Sequence, residues 1–212
     1  MKIILKIGSI FLCMAALFCS TTLRATASDT QDLAGLLSHF NAMSAKFTQT
    51  LYDNSGNVIQ NNSGDMALKR PGKFRWQVTS ANKQLLIADG RNLWIYDEDL
   101  QQATRQKMDK NQANSPAWLL SGSVQALEDR FQVYRVKKGE PGQWFQLKSD
   151  NQKDLFKWIQ LHFVNDTLTE MQLFDNLGQL SKFVFNDIKI NPNLSANVFQ
   201  FSPPKGVDVV EN

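Results

Sequence analysis

Cysteine is nearly absent from this 212-residue chain: Cys13 and Cys19 both fall in its first twenty residues. A product that loses that segment has no thiol nucleophile and no disulfide framework. Histidine is as scarce, with His39 and His162 alone and far apart in sequence. Two isolated imidazoles without cysteine argue against a zinc centre. There is no glycine-rich phosphate loop and no serine elbow motif. Carboxylates cluster at Asp97, Glu98 and Asp99, but consecutive acids on a turn read as a solvated run. These absences leave no catalytic residue, no metal site and no cofactor to assign, and no enzyme is expected.

Excess charge is missing too. The formal net charge of +3 resides in Lys2, Lys6 and Arg24; without them twenty basic residues face twenty acids. A balanced chain has no electrostatic case for nucleic acid, whose affinity comes largely from phosphate neutralisation. Long apolar runs are also lacking. The longest, Ile7 to Phe18, is broken by Gly8 and Ser9 and falls short of the ~20 residues of a membrane span. It follows Lys2 and Lys6 and precedes Ala25-Thr26-Ala27, a secretory signal pattern. Residues 1–27 are therefore expected to be cleaved, leaving 28–212 as a single domain of about 185 residues, ample for a full core. A lipid-anchoring signal fits poorly, because bulky Phe18 precedes Cys19 and Leu12 precedes Cys13.

What is plentiful is large apolar side chains in strand patterns. A helix opens the exported part: Ser28 or Asp29 can cap it, and Leu33, Leu36, Leu37, Phe40 and Met43 recur at helical spacing. From Ala45 the period becomes two, although Gln49 interrupts the apolar side between Phe47 and Leu51. Short strands follow: Asp65 to Lys69, Phe74 to Val78, Leu85 to Ala88, Leu93 to Tyr96 and Gln101 to Lys107. Ser115-Pro116 opens a short helical stretch from Ala117 to Leu120, and Val124 to Arg130 can add a further turn or two. Strands resume over Phe131 to Val136, Trp144 to Lys148, Phe156 to Phe163, Leu168 to Phe174 and Leu180 to Ile188. Short connections imply an antiparallel meander. A sheet this long curls or closes rather than staying flat. Several strands are apolar on both faces, as in Leu93-Trp94-Ile95-Tyr96 and Phe183-Val184-Phe185. Composition alone leaves two explanations open: a core packed on both sides, or a concave face that holds an apolar ligand.

One series of motifs decides more. Ser63-Gly64-Asp65-Met66-Ala67-Leu68-Lys69-Arg70-Pro71-Gly72-Lys73-Phe74-Arg75-Trp76 is followed by Gln84-Leu85-Leu86-Ile87-Ala88-Asp89-Gly90. Then come Leu93-Trp94-Ile95-Tyr96-Asp97 and Asp99-Leu100-Gln101-Gln102-Ala103-Thr104. With Phe47-Thr48-Gln49 in front and Phe199-Gln200-Phe201-Ser202-Pro203-Pro204-Lys205-Gly206-Val207 at the end, the chain resembles the outer-membrane lipoprotein carrier family, LolA, over its whole exported length. The resemblance implies an α+β, mainly β fold: an unclosed antiparallel half-barrel of about ten to eleven strands, covered by the N-terminal helix and a short helical lid. It implies a monomeric periplasmic chaperone for lipoproteins with an acylated N-terminal cysteine. Its partners would be an inner-membrane release complex of the LolCDE type and an outer-membrane receptor of the LolB type.

In that frame Arg70 is the residue that latches the lid through backbone contacts, and Phe74 and Trp76 are the matching aromatic pair. The lid segment carries Trp118 and Leu119. Cavity candidates are Leu33, Leu36, Leu37, Phe40, Phe47, Leu51, Met66, Leu68, Phe74, Trp76, Trp94, Trp118 and Leu119. The readings set against it are an envelope-sensing or structural half-barrel module and a lipocalin-like binder of a small apolar ligand.

Overall fold

The computed structural model describes residues 27–80, 82–108, 120–121, 129–137, 139–149 and 154–211. The signal segment 1–26 and lid residues Trp118 and Leu119 lie outside the described residues, as does most of the stretch from Val124 to Arg130.

Helix α1 spans Ala27–Ser38, and the strand β1 (Ala42–Tyr52) follows at once. Leu33, Leu36 and Leu37 are buried from one side of α1, as their spacing predicts. Met43 does not belong to that stripe: it lies in β1, which begins three residues earlier than the expected change of period at Ala45. The first half of the sheet continues with β2 (Val58–Lys69), β3 (Lys73–Val78), β4 (Gln84–Asp89), β5 (Asn92–Asp97) and β6 (Gln102–Lys107). The second half holds β7 (Phe131–Val136), β8 (Gln143–Ser149), β9 (Phe156–Val164), β10 (Thr167–Asp175) and β11 (Leu180–Ile190). A 3₁₀ turn, Ala196–Phe199, and β12 (Asp208–Glu211) end the chain.

Among the described residues one sheet of twelve strands results, ordered β12-β6-β5-β4-β3-β2-β1-β11-β10-β9-β8-β7. Two antiparallel meanders meet where β1 pairs with β11. The sheet is open, with β7 and β12 at its ends. Two expectations need correction. The strand count is twelve rather than ten to eleven. The sheet is also not wholly antiparallel, because β12 runs parallel to β6. Short turns force antiparallel neighbours, but the long 191–207 connection carries the chain back across the sheet and frees β12 from that rule.

Registers divide the side chains between two faces. Met66 pairs with Trp76 and Leu68 with Phe74; Phe47 pairs with Phe185 and Gln49 with Phe183. These residues share the face covered by α1, and the main core lies there. On that face Gly64 is required by close approach. A Cβ would sit 1.9 Å from the Gln77 carbonyl oxygen and 2.9 Å from the Phe47 ring. The vacancy lets Phe47 stack on Trp76 with centroids 4.0 Å apart, while Phe183 meets the Trp76 ring edge-on at 5.3 Å.

The opposite face of the first half has its own small core. Trp94 pairs with Ile87 and Arg105 there, and Tyr96 with Leu85 and Ala103. Phe201 lies 5.4 Å from both the Trp94 and Tyr96 rings, and Phe199 of the 3₁₀ turn is fully buried. Doubly apolar strands in this half are thus explained by a face under α1 and a face under the returning C-terminal segment.

Candidate functional site

The site is built where β2 ends. Arg70 follows the last residue of β2 and precedes Pro71, to which its peptide bond is cis. Its backbone N–H donates to the Asn41 carbonyl at 2.8 Å. The guanidinium then reaches over the concave face. Nη1 donates to the carbonyls of Leu37 and Phe40, the latter at 2.7 Å, and Nη2 donates to the Leu120 carbonyl at 3.0 Å. Its Cζ also lies 4.5 Å from the centre of the Phe40 ring. Leu37 and Phe40 belong to the C-terminal end of α1 and the segment after it, whereas Leu120 belongs to a separate helical piece. One side chain therefore ties two covering elements to the sheet. Gly72 adds a main-chain tie, donating to the Ser121 carbonyl at 2.9 Å.

Helix C-terminal carbonyls have no partner within their own helix, and the partial negative charge collected there attracts a cation. That is the physical reason an arginine suits this place. Burial pushes the Arg70 pKa down to about 10, so it remains charged at neutral pH. Two groups that sequence reasoning missed reinforce the arrangement. Asn191, at φ 51°, accepts from the N–H groups of Asn41 and Ala42 at 2.8 and 3.2 Å and donates to the His39 carbonyl at 3.2 Å. It braces the strand entry whose neighbouring carbonyls Arg70 binds. Arg135 of β7 holds the other end of α1, pairing with Asp29 and Asp32. Its signal was an arginine where the alternation Phe131, Val133 expects an apolar residue.

The described cavity candidates fall into three groups. Leu33, Leu36, Leu37, Phe40, Phe47, Met66, Leu68, Phe74 and Trp76 come together in the buried cluster between α1 and the sheet. Leu51 shares the inner face by its pairing with Gln60, but is only half-buried near the open end. Trp94 departs from expectation. It lies on the opposite face, under Phe201, because strand alternation sends it away from its neighbour Leu93. Trp76 stacks on Phe47, with Phe183 and Phe185 around it.

Toward the open end the concave face holds a pocket of about 360 Å³, with Trp76, Leu86 and Phe183 as its apolar wall. The acidic run behaves as a turn: Asp97 accepts from the Leu100 N–H at 2.9 Å, and Glu98 pairs with Lys83 at 3.9 Å. His162 stacks on Trp144 with centroids 4.3 Å apart and its Nε2 lies 2.9 Å from the Pro141 carbonyl.

The sheet is open, one apolar face lies under α1, and Arg70 is hydrogen-bonded to carbonyls of two covering elements. The family model described as outer membrane lipoprotein carrier protein LolA matches residues 38–202. This chain belongs to the LolA family. Among its LolA relatives, the outer-membrane lipoprotein carrier protein of Hahella chejuensis is 38% identical over 192 residues, 90% of this chain and 92% of that protein. The protein of the same description from Coxiella burnetii is 42% identical over 183 residues, 86% of each chain. Among solved structures, an uncharacterized conserved protein from Thermus thermophilus shares the fold at a TM-score of 0.52 and 12% identity, covering 88% of this chain and 99% of that one. LolA is a carrier family, not an enzyme family.

Proposed function

We propose that the protein is a periplasmic chaperone that buries the acyl chains of lipoproteins between the concave face and α1, then gives them up to a receptor at the outer membrane. Membership in LolA supports lipoprotein carriage. The observation that carries the mechanism is the Arg70 guanidinium bound to carbonyls of two separate covering elements. In this reading residues 1–27 direct export and are removed, and 28–212 act as one monomeric domain. Cargo with an acylated N-terminal cysteine comes from an inner-membrane complex of the LolCDE type and passes to a LolB-type acceptor. Arg70 is the latch.

The energetics favour a latch. Burying one methylene contributes ~0.8 kcal/mol, so roughly 45 of them would give on the order of 35 kcal/mol. Non-covalent affinities saturate near roughly 20 kcal/mol, and a carrier that used the full value could not release its load. The buried aromatic cluster must open to admit chains, and Arg70 must surrender charge-assisted hydrogen bonds worth about 1.5–3 kcal/mol each. Both costs oppose loading, which lowers net affinity and eases release.

Co-purification tests the reading. Protein recovered from an expressing cell should carry an acylated peptide or intact lipoprotein. Recovery of a small soluble ligand in its place would overturn it.

A further inference from the structure

The open end of the concave face breaks its own apolar pattern. Gln49, Gln60 and Asn62 all point inward, because Gln49 pairs with Asn62 and Gln60 with Leu51 on the Phe47 face. Gln84 and Asp97 pair with each other on the same face, beside Val78. These five polar residues are half-buried and rim the pocket of about 360 Å³ whose wall is Trp76, Leu86 and Phe183. Among the described residues lining it there is no lysine or arginine.

The amides are ordered. Gln60 Nε2 donates to Asn62 Oδ1 at 3.4 Å, and Asn62 Nδ2 donates to Gln49 Oε1 at 3.2 Å. The relay leaves the Gln49 side-chain N–H groups and the Gln60 carbonyl at its two ends. Arg70 lies ten residues along the chain from Gln60, roughly 33 Å at the rise of a strand. The polar rim and the latch therefore occupy opposite ends of the same face.

On the carrier reading just given, we propose that this rim is a head-group collar. Its amides bind the ester and amide carbonyls of a neutral diacylglyceryl-cysteine head while the chains run toward α1. Asp97, whose carboxylate also accepts from the Leu100 N–H and which meets no lysine or arginine among the described pocket residues, excludes lipids with an anionic phosphate. Two arguments carry the inference. Amides covered by hydrocarbon alone would lose their water without replacement, which is unfavourable; carbonyls at that depth replace the lost partners. A phosphate there would meet a carboxylate and no counter-charge, and an unpaired charge is strongly disfavoured away from water. The collar thus separates acylated peptide from the anionic phospholipid that surrounds it in a membrane.

The test uses the full exported chain and two probes: a tripalmitoyl-cysteinyl pentapeptide with a neutral peptide part, and phosphatidylglycerol offered as vesicles. The wild type should take up the acylated peptide and at least tenfold less phosphatidylglycerol. Asn62→Leu, checked for an unchanged circular dichroism spectrum, should weaken peptide uptake about tenfold. Gln84→Lys places a cation beside Asp97 and should raise phosphatidylglycerol uptake several-fold, so the inference remains testable if Asn62→Leu fails to fold. Peptide uptake with both variants behaving as wild type would overturn the collar and leave the carrier reading standing. Equal uptake of the two probes by the wild type would likewise overturn it. A wild type that takes up no acylated peptide would remove the carrier reading and the collar with it.

Discussion

Arg70 grips Phe40 twice: the guanidinium donates to the Phe40 carbonyl at 2.7 Å, and its Cζ lies 4.5 Å from the centre of the Phe40 ring. Backbone and side chain of one residue thus meet the same guanidinium. Arg70→Leu removes the guanidinium bonds to the Leu37, Phe40 and Leu120 carbonyls while keeping apolar bulk. The empty closed state should weaken by about 3 kcal/mol, the scale of one or two charge-assisted bonds. The variant should hold cargo and deliver it at least tenfold more slowly in a purified transfer assay. Arg70→Lys should behave in between, because an ammonium cannot span carbonyls set out for a planar fork.

Trp76 and Trp94 lie on opposite faces, and their variants should part accordingly. Trp76→Ala opens the stack with Phe47 and should weaken acyl binding at least tenfold. Trp94→Ala loosens the packing under Phe201 and should cost roughly 2–4 kcal/mol of stability. Its affinity for acylated peptide should stay within twofold of wild type. Titration with a fluorescent acylated peptide, beside denaturant unfolding, checks both.

Gly64→Ala should be more damaging than its size implies. The added methyl meets the Gln77 carbonyl oxygen and the Phe47 ring. Overpacking of this kind costs about 1–3 kcal/mol. Near-ultraviolet circular dichroism should record loss of the Phe47–Trp76 stack even where the far-ultraviolet spectrum is unchanged.

Asn191→Gly keeps the backbone free to adopt its positive φ and removes only the side-chain bonds to the 39–42 segment. The loss should be about 1–3 kcal/mol. Amide hydrogen exchange in the last turn of α1 should accelerate roughly tenfold or more, with the core strands unaffected.

Asp154 contributes to stability at the acid end. Burial raises its carboxyl pKa, but hydrogen bonds from Arg130 and Ser149 and the Arg130 charge outweigh that and hold it below the usual range. A depressed carboxyl contributes stability above its unfolded pKa near ~4, and loses it as pH falls through the lower folded value. Asp154→Asn should therefore lower Tm by roughly 4–8 °C at pH 7, from about 2 kcal/mol. The difference from wild type should shrink below about pH 3. Arg70 behaves differently: with its pKa at about 10, it is protonated throughout the neutral range. Closure releases its proton only above that value, so transfer rates should be flat from pH 6 to 8.

Much of this protein is legible in its sequence. Period-two alternation placed β3, because a half-buried strand must alternate, and short apolar runs between turn residues placed β4, β5 and the strands from β7 to β11. The Arg70-Pro71-Gly72 break and the α1 stripe were equally local signals. The first half of β2 was not legible. Gln60 and Asn62 face inward where the alternation rule expects apolar side chains, so Val58 to Ser63 carried no strand pattern. Gln49 gave the one hint, as a polar residue on an apolar side.

The rest depended on residues far apart in the chain. What covers Trp94 is set by the return of Phe201 across the sheet, and which carbonyls Arg70 binds is set by where α1 and Leu120 come to rest. Local sequence determines period, turns and the ends of elements, because backbone geometry and hydrophobic spacing act over a few residues. Tertiary structure alone decided which of two apolar faces is concave, since both carry large apolar side chains and only the elements that cover them differ.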